Sequence, residues 1–260
     1  MRWTVLGASA VRPNPGGACS GYLLEADGAR ILVDCGAGVV GRLLQVVSPA
    51  DLTAVLISHG HPDHCLDLVA LRQTLRYGPE PRRAERLPLY VAPGMDGQLA
   101  RLGGAFADDG DDARGDDFWS VDFALRTYDP DAGLALGGVR VTFAPTRHYV
   151  PCWAMRFTDA RGRSIVYGAD GGPSVPVTEL ARGADLLVLE STFTSRAAHP
   201  GDAGHQSPDE AGQTAAEAGA QRLLLTHVFS DADLDALRRD AAARCAASVE
   251  VAREGMSWTV

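Results

Sequence analysis

The sequence predicts an α+β protein in which two packed β-sheets are flanked by helices. The two halves of the chain echo each other, because each begins with strands and continues with a helix, and this order suits two sheets with helices outside them. Ligand-type side chains also recur where predicted strands end, as expected when sheets meet at a shared rim. No low-complexity linker or break in composition divides the 260 residues, so we expect a single domain spanning residues 1–260.

The individual elements follow from the spacing of apolar residues, which is short and continuous in strands and three to four residues apart in helices. Strands are predicted at 3–6, 22–25, 30–34, 54–57, 89–91, 121–128, 139–145, 152–158, 164–167, 185–189, 222–225, 248–251 and 256–260. Helices are predicted at 39–47, 68–75, 95–102, 176–182 and 231–247. One more helix begins after Ser207, where Pro208 at the first helical position and Glu210 complete a capping-box pattern.

Composition excludes several classes of function. The formal net charge of −9, from 33 acidic and 24 basic residues, argues against a broad electrostatic footprint for nucleic acid. The chain contains no lysine, which excludes Schiff-base chemistry and a phosphate-binding loop built on lysine. The five cysteines are widely spaced and favour neither a disulfide framework nor a thiolate zinc site. Without a membrane-length apolar run or a signal-peptide pattern, we expect a cytoplasmic protein that does not enter a membrane.

The densest chemical signal directly follows the predicted strand at 54–57. Three histidines and one aspartate occur there within six residues, at His59, His61, Asp63 and His64. Imidazole nitrogen and carboxylate oxygen are the ligands that zinc and similar divalent ions take. Packing four such groups into one rigid loop is costly unless a cation compensates them. A solvated polar turn is the alternative for any one histidine, but the four together favour a metal site.

Further ligand-type residues follow other predicted strands, each at the C-terminal end: Asp34, His148, Asp170, Glu190 and His227. If the two sheets face one another, these side chains converge on one rim, which is where open sheets place their sites. A scatter of the same residues along helices would give no such indication. The sequence therefore predicts one composite site assembled from distant segments.

Taken in order, these motifs resemble the five-motif signature of the metallo-β-lactamase superfamily of metal-dependent hydrolases, over nearly the whole chain. The resemblance implies a four-layer αββα sandwich with a site for two divalent metal ions, with zinc the first choice and manganese or iron the alternatives. It implies that three histidines bind the first metal: His59, His61 and His148. It implies that an aspartate and two histidines bind the second: Asp63, His64 and His227. Asp170 would bridge the two ions, and Asp34 resembles the buried aspartate that supports the cluster from behind.

Within the superfamily, segments 189–193, 204–207 and 225–227 resemble the ribonuclease Z and phosphodiesterase branch. In that branch, the histidine matching His205 donates a proton to the leaving group, and the glutamate matching Glu190 helps orient it. The segments at 7–9, 20–25 and 63–68 are similar to a compact actinobacterial group regarded as atypical class II cyclic-nucleotide phosphodiesterases. The branch also implies a homodimer.

Two departures from that branch matter for the substrate. The bridging aspartate is flanked as Ala169-Asp170-Gly171, where relatives more often have Gly-Asp-Thr. No long insertion resembles the flexible arm by which ribonuclease Z grips transfer RNA, and the acidic balance of the chain agrees with its absence. We therefore expect a small anionic substrate rather than transfer RNA.

The residue inventory and the resemblance together predict a dinuclear-metal phosphodiesterase acting on a small anionic ester such as a cyclic nucleotide. Two divalent ions can lower the pKa of a bridging water and hold the attacked phosphoryl oxygens. Asp63 can both ligate a metal and orient that water, and His205 suits protonation of a departing alkoxide. The alternatives are hydrolysis of a lactone, thioester or other carboxylic ester at the same site, a di-iron redox protein, and a metal-binding scaffold without catalysis. His61 argues against the redox protein, whose relatives usually carry glutamate there.

Other segments carry weaker indications. The basic stretch at 76–88, with Arg76, Arg82, Arg83 and Arg86, either grips phosphates beside the site or is a solvated loop. The acidic stretch at 108–117 is interpreted as a solvated loop rather than a calcium site, since no glutamate closes it. Cys65 is expected to be a small buried residue, with a reactive thiol beside His64 as the alternative. Tyr149 and Trp153 are expected to pack in the core, with stacking on a base as the alternative because both lie near His148. His199 is expected to have no metal role.

Overall fold

The computed structural model describes residues 1–78, 83–106, 118–195 and 204–260, and these residues form two seven-stranded sheets. The first sheet, in the order β14-β1-β2-β3-β4-β5-β6, contains β1 (Arg2–Gly7), β2 (Gly21–Ala26), β3 (Ala29–Cys35), β4 (Ala54–Leu56), β5 (Leu87–Val91), β6 (Phe123–Thr127) and β14 (Ser257–Thr259). The second, in the order β13-β12-β11-β10-β9-β8-β7, contains β7 (Leu134–Leu136), β8 (Val139–Pro145), β9 (Trp153–Thr158), β10 (Ser164–Tyr167), β11 (Leu186–Glu190), β12 (Arg222–Thr226) and β13 (Ser248–Val251).

Helices cover the outer face of each sheet. They are α1 (Val39–Leu43), α2 (Pro62–Cys65), α3 (Leu68–Tyr77), α4 (Asp96–Gly104), α5 (Val175–Leu180), α6 (Pro208–Ala218) and α7 (Leu234–Ala242). Apolar residues of α1, α3 and α4 join the large core that both sheets share, whereas α5, α6 and α7 pack with the other face of the second sheet into a separate core. The chain is therefore a four-layer αββα sandwich, as the sequence predicts. None of the described helices is long and apolar enough to cross a membrane.

Aromatic rings fill the space between the two sheets. Trp3 and Tyr22 of the first sheet stack at a centroid distance of 5.0 Å, and Tyr22 lies 5.0 Å from the ring of Tyr167 in the second sheet. Two phenol hydroxyls form hydrogen bonds across the same interface. Tyr22 Oη lies 2.7 Å from Thr226 Oγ1, and Tyr167 Oη donates to Asp34 Oδ2 at 2.8 Å. Because buried hydroxyls must be satisfied, these bonds help fix how the two sheets align.

Local sequence signals account for most boundaries. Asp27 and Gly28 both have positive φ and connect β2 to β3 as a two-residue hairpin turn, a geometry that favours Asp-Gly. The capping box at Ser207 is present, with the Glu210 carboxylate accepting from the Ser207 backbone N–H. The strands predicted at 139–145 and 164–167 match β8 and β10 residue for residue.

Several sequence predictions are wrong in detail. The histidine-rich segment is not entirely a loop, because Pro62 at the first helical position starts the short helix α2, which carries Asp63 and His64. The helix predicted at 231–247 spans only α7, since Asp233 caps its start. Strand β7 is missing from the sequence prediction, because its three residues are too few to show a period. The acidic segment at 108–117, Arg82 and His199 lie outside the described residues.

Two arginines of the basic stretch, Arg76 and Arg83, lie at the opposite ends of the strands from the candidate ligands. Arg83 donates to the carbonyls of Ala50 and Leu52 at 2.7 and 2.6 Å, just before β4 begins, and Arg76 is paired with Asp122 just before β6. These are the N-terminal ends of the parallel strands, whereas the histidines follow their C-terminal ends. The interpretation that Arg76 and Arg83 bind phosphate beside the site is therefore wrong.

Candidate metal centre

Parallel strands bring the candidate residues to one edge of the sandwich. In the first sheet, β3 to β6 run parallel, and in the second, β10 to β13 do so. Strand β8 has the same direction as β10, because both are antiparallel to β9. The C-terminal ends of these strands carry all the candidate ligands, and two clusters form there: His59, His61, His148 and Asp170, and Asp63, His64, Asp170 and His227.

The first cluster is a tight group of three imidazoles. His61 Nδ1 lies 3.1 Å from His59 Nε2 and 3.0 Å from His148 Nε2. The carboxylate of Asp170 closes the group, with Oδ2 3.9 Å from His59 Nε2 and 4.0 Å from His148 Nε2. Three ring nitrogens and one carboxylate oxygen facing a common centre are a donor set that suits a divalent metal ion.

The second cluster combines two imidazoles with two carboxylates. His227 Nε2 lies 3.1 Å from Asp63 Oδ2 and 3.4 Å from Asp170 Oδ2. His64 Nε2 lies 3.2 Å from Asp170 Oδ1 and has no hydrogen-bond partner although it is fully buried. Because Asp170 belongs to both clusters, it is positioned to bridge two ions.

Hydrogen bonds behind the rings fix which nitrogen faces the centre. His148 Nδ1 donates to the Gly204 carbonyl at 2.6 Å. His64 Nδ1 donates to Asp34 Oδ2 at 2.8 Å. Ser58 gives its hydroxyl proton to Asp34, so its oxygen accepts from His59 Nδ1 at 3.0 Å. In each case the proton on Nδ1 leaves Nε2 with its lone pair aimed inward, which is the arrangement of histidines that ligate metals.

His227 follows the same rule through a threonine. The Thr192 hydroxyl donates to Glu190 Oε2, so its oxygen is free to accept from His227 Nδ1 at 2.8 Å. The inward His227 Nε2 then faces two carboxylate oxygens. A nitrogen lone pair and the carboxylate oxygens that it faces repel each other unless a proton or a cation lies between them. The residues present therefore fit a divalent metal centre.

Burial and charge act in opposite directions on the rings. Burial lowers the pKa of His59 well below its usual value and also lowers the pKa of His61 and His148, so these rings are neutral and able to ligate. Burial also opposes charging of His64, but Asp170 and Asp34 outweigh it and raise the pKa of this ring. The carboxylates around His64 thus favour a positive charge at its inward nitrogen.

The two aspartates at the centre remain ionised. Burial alone would raise the pKa of Asp63, but the hydrogen bond with His227 and the charges of His64 and His227 lower it to about 2. Burial of Asp170 is likewise outweighed by His227 and His64, which hold its pKa well below the usual range. Two permanent negative charges inside a ring of imidazoles are a strong electrostatic attractor for a divalent cation.

Asp34 supports the cluster from the core side, in the place where the resemblance puts a buried aspartate. Its Oδ1 accepts from the Ser58 backbone N–H at 2.7 Å. Its Oδ2 accepts from Ser58 Oγ, His64 Nδ1 and Tyr167 Oη, each at 2.8 Å. Asp34 thus holds the start of the histidine segment and the ring of His64 in one orientation.

Strained backbone accompanies the site. Asp34, Ala169 and His227 have φ values of 55°, 52° and 54°, in the left-handed region that non-glycine residues seldom adopt. All three lie where a strand turns into the site, and such strain persists only where surrounding contacts over-determine it. Gly36 is needed for a different reason, since a Cβ there would lie 1.9 Å from the backbone oxygen of Asp63.

His205 and Glu190 form a third group beside the clusters. His205 Nδ1 lies 2.8 Å from Glu190 Oε1, and the His205 ring stacks on that of His227 at 5.8 Å. Burial lowers the pKa of His205, but the hydrogen bond and charge of Glu190 outweigh it, so the net pKa is raised. Because Nδ1 is engaged by Glu190, the proton on Nε2 is the one available for transfer.

Glu190 is itself held rigidly. It is fully buried, and its carboxylate accepts from the Gly171 backbone N–H at 2.7 Å and from the Thr192 hydroxyl. The capped start of α6 follows His205 by two residues, so backbone and side chain are both fixed. The sequence motif that suggested this pair is thus matched by a direct contact.

Some contributors could not be read from the sequence. The Val11 backbone N–H donates to Asp63 Oδ2 at 2.9 Å, and Val11 has a φ of 59°. A backbone donor in a loop has no residue signature, so no pattern could have indicated it. Thr192 lies in the segment that carries the resemblance, and its hydroxyl beside Glu190 is the one signal that could have suggested its role.

The predictions of core packing for three side chains have different outcomes. Cys65 is buried as expected, and burial raises the pKa of its thiol to about 12. Trp153, at the start of β9, is partly buried and packs against the large core that both sheets share. The expected core packing of Tyr149 is wrong, because 62% of this residue is exposed.

Comparisons with known proteins agree with this geometry. A family model described as a beta-lactamase superfamily domain matches residues 29–228. The chain is 34% identical over 263 residues to the probable metallo-hydrolase YhfI of Bacillus subtilis, and the match covers 99% of each protein. It is 28% identical over 304 residues to a ribonuclease Z of Myxococcus xanthus, with 99% of this chain and 97% of that protein covered.

Solved structures give the same result. The crystal structure of B. subtilis YhfI matches with a TM-score of 0.85 at 32% identity, covering 99% of this chain and 98% of that chain. A diphosphatase from the PhnP family shares the fold, with a TM-score of 0.78 at 20% identity and coverage of 99% and 97%. The chain therefore belongs to the β-lactamase superfamily and is a metal-dependent hydrolase.

Proposed function

We propose that the chain is a phosphodiesterase that uses two divalent metal ions to hydrolyse a small anionic ester, with a cyclic nucleotide as the leading candidate. One observation carries the proposal: a histidine paired with a buried glutamate stands directly beside a cluster suited to two metals. The alkoxide of a phosphodiester leaves poorly unless it is protonated, and His205 is placed to supply that proton, which the thiolate of a thioester would not need.

Seven residues would hold the two ions: His59, His61 and His148 the first, Asp63, His64 and His227 the second, and Asp170 both. Bound divalent ions supply charge neutralisation at the phosphoryl oxygens and a lowered pKa for water. Zinc is the first choice because imidazoles predominate, and manganese is the alternative.

The protein's own groups would act around the reacting phosphate. Asp63 stays ionised and is held by the Val11 backbone N–H, so its carboxylate can accept a hydrogen bond from the attacking water. His205 would carry a proton on Nε2 and deliver it to the departing oxygen. Glu190 would keep the His205 ring oriented and favour its protonated form, because the carboxylate accepts from Nδ1.

A small substrate is favoured over transfer RNA by charge and by length. The chain carries a formal charge of −9, which opposes a polyanion. The match with the M. xanthus ribonuclease Z spans 304 positions, whereas this chain has 260 residues, so that ribonuclease carries segments that this chain lacks. We therefore propose that the substrate is a small ester bound at the edge of the sandwich where the metal centre lies.

A substrate screen tests the proposal. Protein stripped of metal and reconstituted with zinc or manganese is assayed on cyclic nucleotides, bis(4-nitrophenyl) phosphate, lactones, a thioester and short RNA. We expect metal-dependent turnover of the cyclic and aryl phosphodiesters. Turnover of only a lactone or a thioester would replace the proposal with carboxylic ester hydrolysis, and cleavage of RNA alone would overturn the small-substrate assignment.

A further inference from the structure

Tyr149 is a large aromatic residue that is exposed at the edge of the candidate centre. It directly follows His148, and 62% of its surface is accessible. Its ring centroid lies 5.2 Å from that of His148 and 5.7 Å from that of His205. An aromatic side chain of this size gains free energy when it is covered, so its exposure beside a catalytic cluster indicates a surface that a ligand can cover.

The ring is nevertheless held in place. It lies against Gly204, where an added Cβ would come within 2.9 to 3.1 Å of the Tyr149 ring carbons. The Gly204 carbonyl in turn accepts from His148 Nδ1, so ring, glycine and ligand form one packed unit. The ring of Phe193 also lies near His205, with 6.0 Å between the centroids of the two rings. His205 thus has two aromatic neighbours, of which Tyr149 is the exposed one.

We propose that Tyr149 is a stacking platform for the base of a nucleotide substrate, and that it gives the enzyme a preference for phosphodiesters that carry a flat ring. The position of the phosphate rests on the proposed phosphodiesterase function, whereas the platform rests on the geometry of Tyr149 alone. With the phosphate between the clusters and His205, a base attached one sugar ring away reaches the exposed ring of Tyr149.

The chemistry favours a nucleobase over a simple apolar group. A flat base stacks on a tyrosine ring regardless of its sequence identity, because each base has a π-face. A flexible alkyl chain has no flat π-face, so it would gain less from covering this ring than a base would. The platform therefore distinguishes substrates with a ring from substrates without one.

A matched pair of substrates isolates this contribution. Adenosine 3′,5′-cyclic phosphate is compared with its base-free analogue, in which hydrogen replaces the purine at C1′, so that the reacting phosphodiester and the leaving alkoxide are the same. The measured quantity is kcat/KM for the nucleotide divided by kcat/KM for the base-free analogue. We expect Tyr149→Leu to lower this ratio between about 5-fold and 150-fold, the range for loss of one base–aromatic stack.

Two variants serve as controls. Tyr149→Phe keeps the ring and should retain the ratio to within about threefold, since stacking needs no hydroxyl. Tyr77→Leu removes another exposed tyrosine, 72% accessible, at the end of α3 and should leave the ratio as in the wild type. An equal ratio in the wild type and Tyr149→Leu would overturn the platform while leaving the phosphodiesterase function standing.

Equilibrium binding separates the two proposals. Calorimetry of adenosine 5′-monophosphate and ribose 5-phosphate with metal-loaded protein repeats the comparison without turnover. A preference for the nucleotide that disappears in Tyr149→Leu supports the platform even if no phosphodiester is hydrolysed, and in that case the proposed function fails alone. Equal binding of both phosphates to wild type and variant would refute the platform.

Discussion

Replacing His205 by alanine tests the assignment of a proton donor. The side chain is 13% exposed, and its one strong contact is the 2.8 Å hydrogen bond from Nδ1 to Glu190. Glu190 keeps the Gly171 N–H and the Thr192 hydroxyl as donors in the variant, so no buried carboxylate is left unpaired. The lost charge-assisted bond costs about 1.5–3 kcal/mol of unfolding free energy. The variant should therefore fold with a lowered Tm.

The effect on chemistry depends on the leaving group. General acid catalysis contributes about 10²–10⁴-fold, and only when the departing oxygen needs a proton. Hydrolysis of a cyclic nucleotide, which releases an alkoxide, should slow by that factor. Hydrolysis of bis(4-nitrophenyl) phosphate, which releases a stable phenolate, should slow less than about tenfold, since no proton is required.

The assay measures kcat for both substrates across pH. Glu190 raises the pKa of His205, so the protonated ring persists above the ordinary value of about 6.5. The wild-type rate with a cyclic nucleotide should fall as pH rises through this raised pKa, and that alkaline limb should be absent in His205→Ala. His205→Gln is the matched control, because its amide can still donate to Glu190 and preserve stability without transferring a proton.

Equal slowing of both substrates would refute this reasoning. It would mean that His205 acts on metal binding or on the position of the substrate rather than on the leaving group. Measurement of bound metal in each variant distinguishes these two outcomes.

Three further predictions concern the metal centre. Asp170→Ala should lose metal from both clusters, whereas His148→Ala should lose about one ion per chain, as measured by inductively coupled plasma mass spectrometry; equal losses would contradict a shared ligand. Tyr167→Phe removes one donor from Asp34 and should weaken metal affinity about 10- to 100-fold while the protein stays folded, and an unchanged affinity would show that this bond does not reach His64. Chelation should lower Tm reversibly, because the ions bind only the folded state, and the unfolding free energy should fall by up to about 4 kcal/mol when free metal stood at 1,000 times its Kd; an identical Tm in scanning calorimetry would count against a structural metal centre.

The gathering of the candidate ligands could be predicted because strand direction carries it. Asp34, Asp170 and His227 are far apart in the sequence, yet each lies at or just after the C-terminal end of a parallel strand, and parallel strands end at the same edge. The capped helix after His205 could be predicted because its signature is local. The family resemblance then implied which histidines belong with which aspartate.

The remaining features depend on contacts that have no local signature. The Tyr167 hydroxyl reaches Asp34 across 133 residues and between the two sheets, which no spacing rule anticipates. Whether an aromatic residue after a strand packs inward or remains exposed depends on the partner surface, and Gly204 supplies that surface for Tyr149. The Val11 N–H on Asp63 is a backbone contact, and backbone atoms are the same in every residue.

Metal titration tests the central claim most directly. Metal-stripped protein is titrated with zinc or manganese while bound metal per chain and hydrolysis of a cyclic phosphodiester are followed together. Two clusters joined by Asp170 should give two bound ions per chain, with activity rising mainly as the second ion binds. Full activity with one ion, or two bound ions with no turnover of any phosphodiester, would contradict the dinuclear phosphodiesterase proposed for this fold.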